Sequence, residues 1–220
     1  MVDMTRRVNI LGNGDRAGLF KRGTSGKLLV CNMPPFEIPR KEVHATCMVD
    51  FKMMKSLMAG HLHLDMYDWV LGTRPKIWME AQGSFYMRYS HLIRGFYTHI
   101  PKYVTENAGN PQQAATNFNC GHMATHYACS KMKADEVHLY GFDSIFDMNL
   151  ESFTDLLLES DRSTQNTVRL NNWWRPIWEN MFKEFPNTQF VLHHTHSNIK
   201  ITLPKNCSIE VTSKKKKKRS

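Results

Sequence analysis

The chain has 220 residues, which suits one α/β domain and is long enough to bury a substantial core. Hydrophobic residues make up 41% of it and aromatic residues 11%, values that exclude a disordered protein. Of the formal net charge of +9, six positive charges come from Lys214–Arg219. The rest of the chain carries 23 basic and 20 acidic groups, so the basic character is largely a property of the C-terminal segment.

These bounds predict one domain over residues 1–213 and a disordered basic tail over residues 214–220. Such a tail suits weak contact with nucleic acid or an anionic surface through Lys214–Arg219. Five cysteines, an odd number without C-x-x-C spacing, favour a reducing compartment over a disulfide framework. The first residues lack the apolar core of a signal peptide, and no stretch approaches the roughly 20 apolar residues of a membrane span. We therefore expect a cytoplasmic protein without a transmembrane segment.

The first regular element is a short apolar run that breaks into a glycine-rich turn. Arg7–Leu11 predicts a buried strand, and Gly12-Asn13-Gly14-Asp15 follows it. Glycine allows close approach of a ligand to the backbone, and a helix starting after the turn would direct N–H groups at an anion. The turn matches two glycines of the dinucleotide fingerprint G-x-G-x-x-G, with Ala17 at the third position. Alone, it suits a phosphate-binding turn and a plain strand-to-helix corner equally well.

Further along the chain, strand and helix patterns alternate. The later predicted strands are Lys27–Asn32, Glu42–Val49, Trp69–Leu71, Lys76–Met79, Glu136–Gly141 and Thr188–Leu192, with one or two edge strands in Asn198–Val211. The predicted helices are Phe51–Met58, His122–Met132, Phe153–Leu158 and Asn172–Phe185, the last with Pro176 in its first turn. Gly83–Val104 indicates mixed helix and loop, Asn107–Gln113 is polar, and Asp161–Thr167 indicates a polar loop. This alternation predicts an α/β fold, a Rossmann-like, mostly parallel sheet with helices on both faces in a single domain.

In sheets of this kind, ligands bind outside the carboxyl ends of the strands. The segments that follow the predicted strands hold many of the small, polar and ionisable residues of the chain: Gly12–Asp15, Asn32, Asp50, Gly141–Ser144 and His193–His196. Their expected convergence at one edge of the sheet predicts a nucleotide or sugar-phosphate site there.

Histidines and acidic residues near the predicted strand ends are the candidates for catalysis. His194 or His196 suits a general base, because the imidazole pKa lies near neutrality. Plain surface histidines are the alternative, as is a zinc site that would also use the pair His61-x-His63. Asp143 follows a buried strand directly and suits a helix cap or a contact to a ribose or base, whereas Asp50 is interpreted as the cap of the next helix.

Aromatic residues form two further candidate groups. Trp174 and Trp178 lie four residues apart on one helical face, which favours core packing over an aromatic acceptor wall that would include Trp173. The second group mixes basic and aromatic side chains: His91, Arg94, Tyr97, His99, Lys102 and Tyr103. Such a group suits a lid over the acceptor, a nucleic-acid-binding surface or a purely structural segment.

Three blocks of the chain together resemble a known arrangement. They are Gly12-Asn13-Gly14, Cys31-Asn32 and the block from Asn119 to Asp143, NCGHMATHYACSKMKADEVHLYGFD. The arrangement is similar to that of the bacterial sialyltransferases of glycosyltransferase family 42. It is also similar to that of the MptE-like domains, named for 6-hydroxymethylpterin diphosphokinase, which share the Rossmann-like fold.

The resemblance implies a glycosyltransferase that binds a nucleotide-sugar, a CMP-sialic-acid-like donor, and transfers the sugar to an acceptor hydroxyl. It implies that the cytidine nucleotide is held by Gly12, Asn13, Gly14 and Asn32. The turn Asn119, Cys120 and Gly121 would place N–H groups near the phosphate or the sugar carboxylate. The strand end Gly141, Phe142 and Asp143, with Ser144 beside it, would lie near the base and ribose. The family is metal-independent, so we expect no metal and no cofactor besides the donor.

The chain departs from the family pattern at two places. Asp15-Arg16 stand where the family has Pro-Ser, and positions 143–192 contain no histidine, although the family carries its base histidine there. The base role would then pass to His194 or His196, with Asp143 as a further catalytic candidate. Two alternatives remain open. One is a non-catalytic, nucleic-acid-associated protein that uses the tail, and the other is an MptE-like diphosphokinase that uses Mg²⁺ with Asp15 and Asp143.

Overall fold

A computed structural model describes residues 5–146 and 164–212, and its described strands form one sheet. The strands are β1 (Arg7–Leu11), β2 (Lys27–Cys31), β3 (Ala45–Met48), β4 (Trp69–Leu71), β5 (Ile93–Phe96), β6 (Glu136–Tyr140), β7 (Gln189–His194) and β8 (Cys207–Val211). They lie in the order β5-β4-β3-β2-β1-β6-β7-β8, and every neighbouring pair is parallel. The predicted α/β, Rossmann-like class is confirmed.

The helices in the described part of the chain are α1 (Phe51–Met58), α2 (Thr73–Glu80), α3 (Gly83–Tyr89), α4 (Lys102–Thr105), α5 (Pro111–Asn117), α6 (Cys120–Ser130) and α7 (Thr164–Glu184). Short 3₁₀ segments connect several strands, among them Asp15–Leu19 after β1 and Arg40–Glu42 after β2. None of the helices within the described ranges is long and apolar enough to cross a membrane.

Both faces of the sheet are covered by apolar clusters. On one face, Ile10, Leu139 and Leu192 pack beneath the buried sides of α6 and α7. On the other face, Met48 and Trp69 pack against apolar side chains of α1, α2 and α3. Because both faces are buried, the central strands read as nearly continuous apolar runs, which is the pattern of a parallel sheet.

The order in which successive strands are added to the sheet changes side at β1. From β1 the chain moves outward through β2, β3 and β4 to β5, and then returns to place β6 on the other side of β1. Gly12 N donates to the carbonyl oxygen of Tyr140 at 2.7 Å, so the two strands stay joined at their carboxyl ends. In open α/β sheets, such a switch point is where a ligand crevice forms.

Several predicted elements are confirmed and others are wrong. β1, β4 and α1 have the predicted bounds, but Lys76–Met79 belongs to α2 and is not a strand. Pro75 lies in the first turn of this helix. Backbone N–H groups in a first turn make no intrahelical hydrogen bonds, so a proline there costs the helix none. The predicted third strand Glu42–Val49 shortens to β3, because its first residue lies in a 3₁₀ segment.

The other corrections concern the ends of elements. β5 lies inside the segment predicted as mixed helix and loop. α5 begins at Pro111, inside the polar segment Asn107–Gln113, for which no helix was predicted, and the Asn110 side chain caps it. α7 begins at Thr164, so Pro176 lies in its interior and the end of the loop predicted over Asp161–Thr167 is helical. The predicted helix Phe153–Leu158 and the tail at 214–220 lie outside the described residues.

Candidate functional site

A cleft lies at the switch point, outside the carboxyl ends of β1, β2 and β6. It encloses about 670 Å³ when its opening to solvent is included. The residues predicted from the strand ends and the resemblance that line it are Gly12, Asn13, Gly14, Asn32, Asp50, Asn119, Cys120, Gly121, Gly141, Phe142, Asp143 and Ser144. The sheet therefore brings together, in one cavity, residues from five separate parts of the chain.

The floor of the cleft is a backbone contact between the turns after β1 and β6. Gly14 N donates to the carbonyl oxygen of Gly141 at 3.0 Å. A Cβ atom would lie 2.6 Å from that oxygen at Gly12 and 2.7 Å from it at Gly14, closer than side chains pack. Both glycines are therefore required by the packing of the two turns. The predicted helix start after Gly14 is only a five-residue 3₁₀ segment, Asp15–Leu19.

Gly141 itself has a left-handed backbone, with φ of +74°, and a Cβ there would lie 2.9 Å from both the amide nitrogen and the Cβ of Ala17. We expect G141A to lower the free energy of unfolding by about 2 to 4 kcal/mol, from backbone strain and the clash together. Urea denaturation measures this loss. G60A is the matched control, because Gly60 has φ of +73° but open space around its Cβ position. A cost for G141A no larger than for G60A would contradict the tight contact of the turns.

The wall opposite this floor is the first turn of α6. The Asn119 side chain accepts a hydrogen bond from His122 N at 3.0 Å, and His122 Nδ1 accepts from Asn119 N at 3.2 Å. This is a reciprocal capping box, with histidine where glutamate or glutamine is usual. Because the first N–H groups of a helix have no intrahelical acceptors, this end of the eleven-residue α6 carries partial positive charge. It presents Cys120 and Gly121 to the cleft.

His122 is fully buried and is a site residue that the sequence did not reveal, because α6 was predicted to begin there. Burial lowers its pKa to about 3, so the imidazole is neutral. Its ring packs 4.8 Å from that of Trp178, between centroids. The histidine therefore supports the cleft from behind.

Asn32 forms the rim of the cleft at the end of β2. Its backbone is left-handed, with φ of +61°, a conformation that asparagine tolerates better than most residues. The Cys120 thiol donates to Asn32 Oδ1 at 2.9 Å, so β2 and α6 are joined across the cavity. Asn13 Nδ2 donates to the carbonyl oxygen of Met33 at 3.0 Å and fixes the turn after β1 against the same rim.

Asp143 connects the two turns. Its side chain is buried, and its Oδ2 accepts from Arg16 N at 3.3 Å. Its Oδ1 lies 3.7 Å from His194 Nε2. Burial raises the pKa of this carboxyl, and the Arg16 N–H opposes that shift.

The histidines predicted as bases lie behind the cleft. β7 continues beyond Leu192, so His193 and His194 belong to the strand and do not follow it. His194 is fully buried with its ring stacked on Phe146 at 3.9 Å, and His196 is half-buried; neither lines the cleft. Asp15 is exposed and also lies outside the lining. In the described part of the chain, no three His, Cys, Asp or Glu side chains are grouped as a metal would require.

Two tryptophans and one further acidic residue also line the cleft. Trp174 and Trp178 are buried in the core and also face the cleft, so packing and lining roles coincide. The Phe142 ring lies edge-on to Trp178 at 5.3 Å. Asp50 precedes α1, but its side chain makes no capping hydrogen bond, contrary to prediction; it accepts from Arg74 at 2.7 Å.

Comparison of the chain with models of known protein families, with curated proteins and with solved structures found no match. What can be inferred of the function therefore comes from the chemistry of the cleft and from the sequence blocks that line it.

Proposed function

We propose that the protein is a glycosyltransferase that binds a nucleotide-sugar of the CMP-sialic-acid type and transfers the sugar to an acceptor hydroxyl. The observation that carries the proposal is the convergence of the three sequence blocks in one cleft at the switch point. Gly12–Gly14, Asn32 and Asn119–Gly121 come from distant parts of the chain, and the family resemblance implies a donor-binding role for each of them.

The chemistry of the lining suits such a donor. A nucleotide phosphate needs N–H donors and partial positive charge, which the first turn of α6 supplies. A base and a ribose need flat apolar surface and hydrogen-bonding groups, which Phe142, Trp174 and Asn32 supply. As the bond to the sugar breaks, charge grows on the leaving phosphate, and donors fixed at Cys120 and Gly121 would stabilise it.

Thermal unfolding in the presence of nucleotides tests the proposal. We expect CMP at millimolar concentration to raise the melting temperature, and UMP, GMP and AMP to raise it less. Binding at one hundred times the dissociation constant corresponds to about 2.7 kcal/mol of added stability, which is a shift of several degrees in a domain of this size. A chain that ends at Ser213 should respond equally, because the residues that line the cleft all precede the basic tail.

No response to any nucleotide or nucleotide-sugar would contradict the proposal. Loss of nucleic-acid binding in the truncated chain, without any response to CMP in the full chain, would favour a role that depends on the tail.

A further inference from the structure

A second cavity lies between α4, the end of α5 and the middle of α7. It encloses about 550 Å³ when its opening to solvent is included, and about 210 Å³ of this space has room for water-sized groups. An engineered apolar cavity of about 150 Å³ in another protein binds benzene. The cavity beside α7 is therefore large enough for a six-membered ring that carries substituents.

This cavity is separate from the cleft, although α7 lines both. Trp174 and Trp178 face the cleft, whereas Pro176 and Asn180 line the second cavity. Because a helix turns by about 100° per residue, these two pairs lie on opposite sides of α7. A molecule in the second cavity would therefore not contact a molecule in the cleft.

The side chain of Asn117, the last residue of α5, points to a ligand. Asn117 lines the cavity and is only 6% exposed. Its side-chain amide makes no hydrogen bond to any residue that the structure describes. Since a buried amide without a partner is costly, such groups in native proteins are normally satisfied by protein, water or ligand. The Asn117 amide is therefore available both to donate to a molecule in the cavity and to accept from it.

Three more oxygen atoms on the wall are left as hydrogen-bond acceptors. The Tyr103 hydroxyl donates to Glu184 Oε2 at 2.9 Å, so its oxygen can still accept. Asn107 Nδ2 donates to the carbonyl oxygen of Tyr103, and Asn180 Nδ2 to that of Pro176, both at 2.8 Å. Because a carbonyl oxygen needs a donor, these bonds fix the orientation of both amides and leave each Oδ1 to accept. The wall therefore suits a ligand with several O–H donors.

The rest of the wall is apolar and uncharged. Val104, Pro176 and Ile177 line the cavity together with Tyr103, and no lining residue in the described part of the chain carries a charge. Burial raises the pKa of the Tyr103 phenol, so it stays neutral. An ionised ligand would find no opposite charge on this wall. A ring with hydroxyl groups suits it better, because its C–H groups can pack against the apolar side chains.

We propose that this cavity binds a neutral, polyhydroxylated ring, a single sugar residue that is either free or at the end of a glycan, and that Asn117 is its main polar contact. The inference goes beyond the proposed function and does not depend on it, because the cavity and the cleft share no lining residue.

Nuclear magnetic resonance of the ¹⁵N-labelled full chain tests the proposal, with N-acetyl-D-glucosamine and D-galactose as the probes. We expect at least one sugar to shift the side-chain amide signal of Asn117, with a dissociation constant of about 1 to 10 mM. The signal is assigned by its loss in N117L. This variant should melt at or above the wild-type temperature, since it gives up no hydrogen bond within the described protein.

A second variant blocks the cavity from α7. N180F adds a ring at a half-exposed position of the wall, and phenylalanine and asparagine have similar helix propensities. We expect it to weaken sugar binding at least tenfold. K183F is the matched control, because Lys183 is exposed on the same helix and lines neither cavity. It should bind the sugar as the wild type does.

Every other result contradicts a stated part of the proposal. If neither sugar shifts the Asn117 signal, the cavity is not a sugar site. Wild-type affinity in N180F would place the sugar elsewhere, and equal weakening in K183F would do the same. A larger shift with uracil, a flat neutral ring without hydroxyl groups on sp³ carbon, would overturn the ligand class. A melting temperature of N117L well below that of the wild type would show that the amide has a partner within the protein.

Discussion

Between pH 6.5 and pH 4, the free energy of unfolding should fall by roughly 1.4 kcal/mol per pH unit for each histidine that is neutral in the fold. Burial lowers the pKa of His122 to about 3 and that of His193 to about 4. In the unfolded chain both have the ordinary value of 6.5, so in this range the unfolded chain binds more protons. Their contribution is complete above pH 6.5 and is lost as the pH falls toward the folded-state values.

The surroundings of the two histidines explain why they stay neutral. His193 stacks on Tyr140 at 4.0 Å, and its Nε2 lies 2.7 Å from His138 Nδ1, a contact that two imidazolium rings cannot make. His122 has its Nδ1 occupied as the acceptor of Asn119 N. Urea denaturation at pH 7, 6, 5 and 4.5 measures the slope.

H122Q is the control for this prediction, because glutamine at the same position of a capping box supplies the reciprocal hydrogen bond without titrating. Its pH slope should be smaller than that of the wild type by the contribution of one proton. Equal slopes in the two proteins would show that His122 is not the acid-sensitive group.

Replacing Asn32 by alanine is expected to abolish the stabilisation by CMP. The Asn32 side chain lines the cleft and accepts from the Cys120 thiol, so its loss removes the proposed contact with the nucleotide and the link between β2 and α6. Alanine is also strained at φ of +61°, by about 1 to 2 kcal/mol. The melting temperature with and without CMP measures both effects.

N32G separates the amide from the backbone, since glycine adopts φ of +61° without strain. This variant should melt at a higher temperature than N32A and still show no CMP response. A full CMP response in N32G would mean that the amide makes no contact with the nucleotide.

The sequence predicted the position of the cleft better than it predicted the side-chain interactions around it. Glycines and asparagines after apolar strands are local signals, and parallel topology brings strand ends together, so Gly12, Asn32 and Gly141 were placed correctly at one edge of the sheet. The capping role predicted for Asp50 is wrong, because Arg74, 24 residues away in the chain, donates to its carboxylate instead. A pairing between residues so far apart leaves no signal in the local sequence.

The errors in secondary structure have a similar cause. β5 is a four-residue, half-exposed edge strand with Gly95 inside it, and only its pairing with β4 makes it a strand. β7 runs two residues beyond its predicted end, because His193 and His194 pair with β8 and are buried by aromatic rings that sequence order does not reveal. Tertiary contacts thus overrode the polarity of these residues.

The two turns that form the floor of the cleft follow strands that are far apart in the chain. Arg6 and Asp135, which pair at the start of these two strands, are 129 residues apart in the chain. Closing so long a loop is entropically costly and slow. We therefore expect β1 and β6 to pair late in folding, and the floor of the cleft to form with them. An N-terminal fragment that ends before β6 therefore holds Gly12, Asn32 and Cys120 but lacks the floor of the cleft. Such a fragment should show the proposed nucleotide binding only when the missing C-terminal fragment is added in trans.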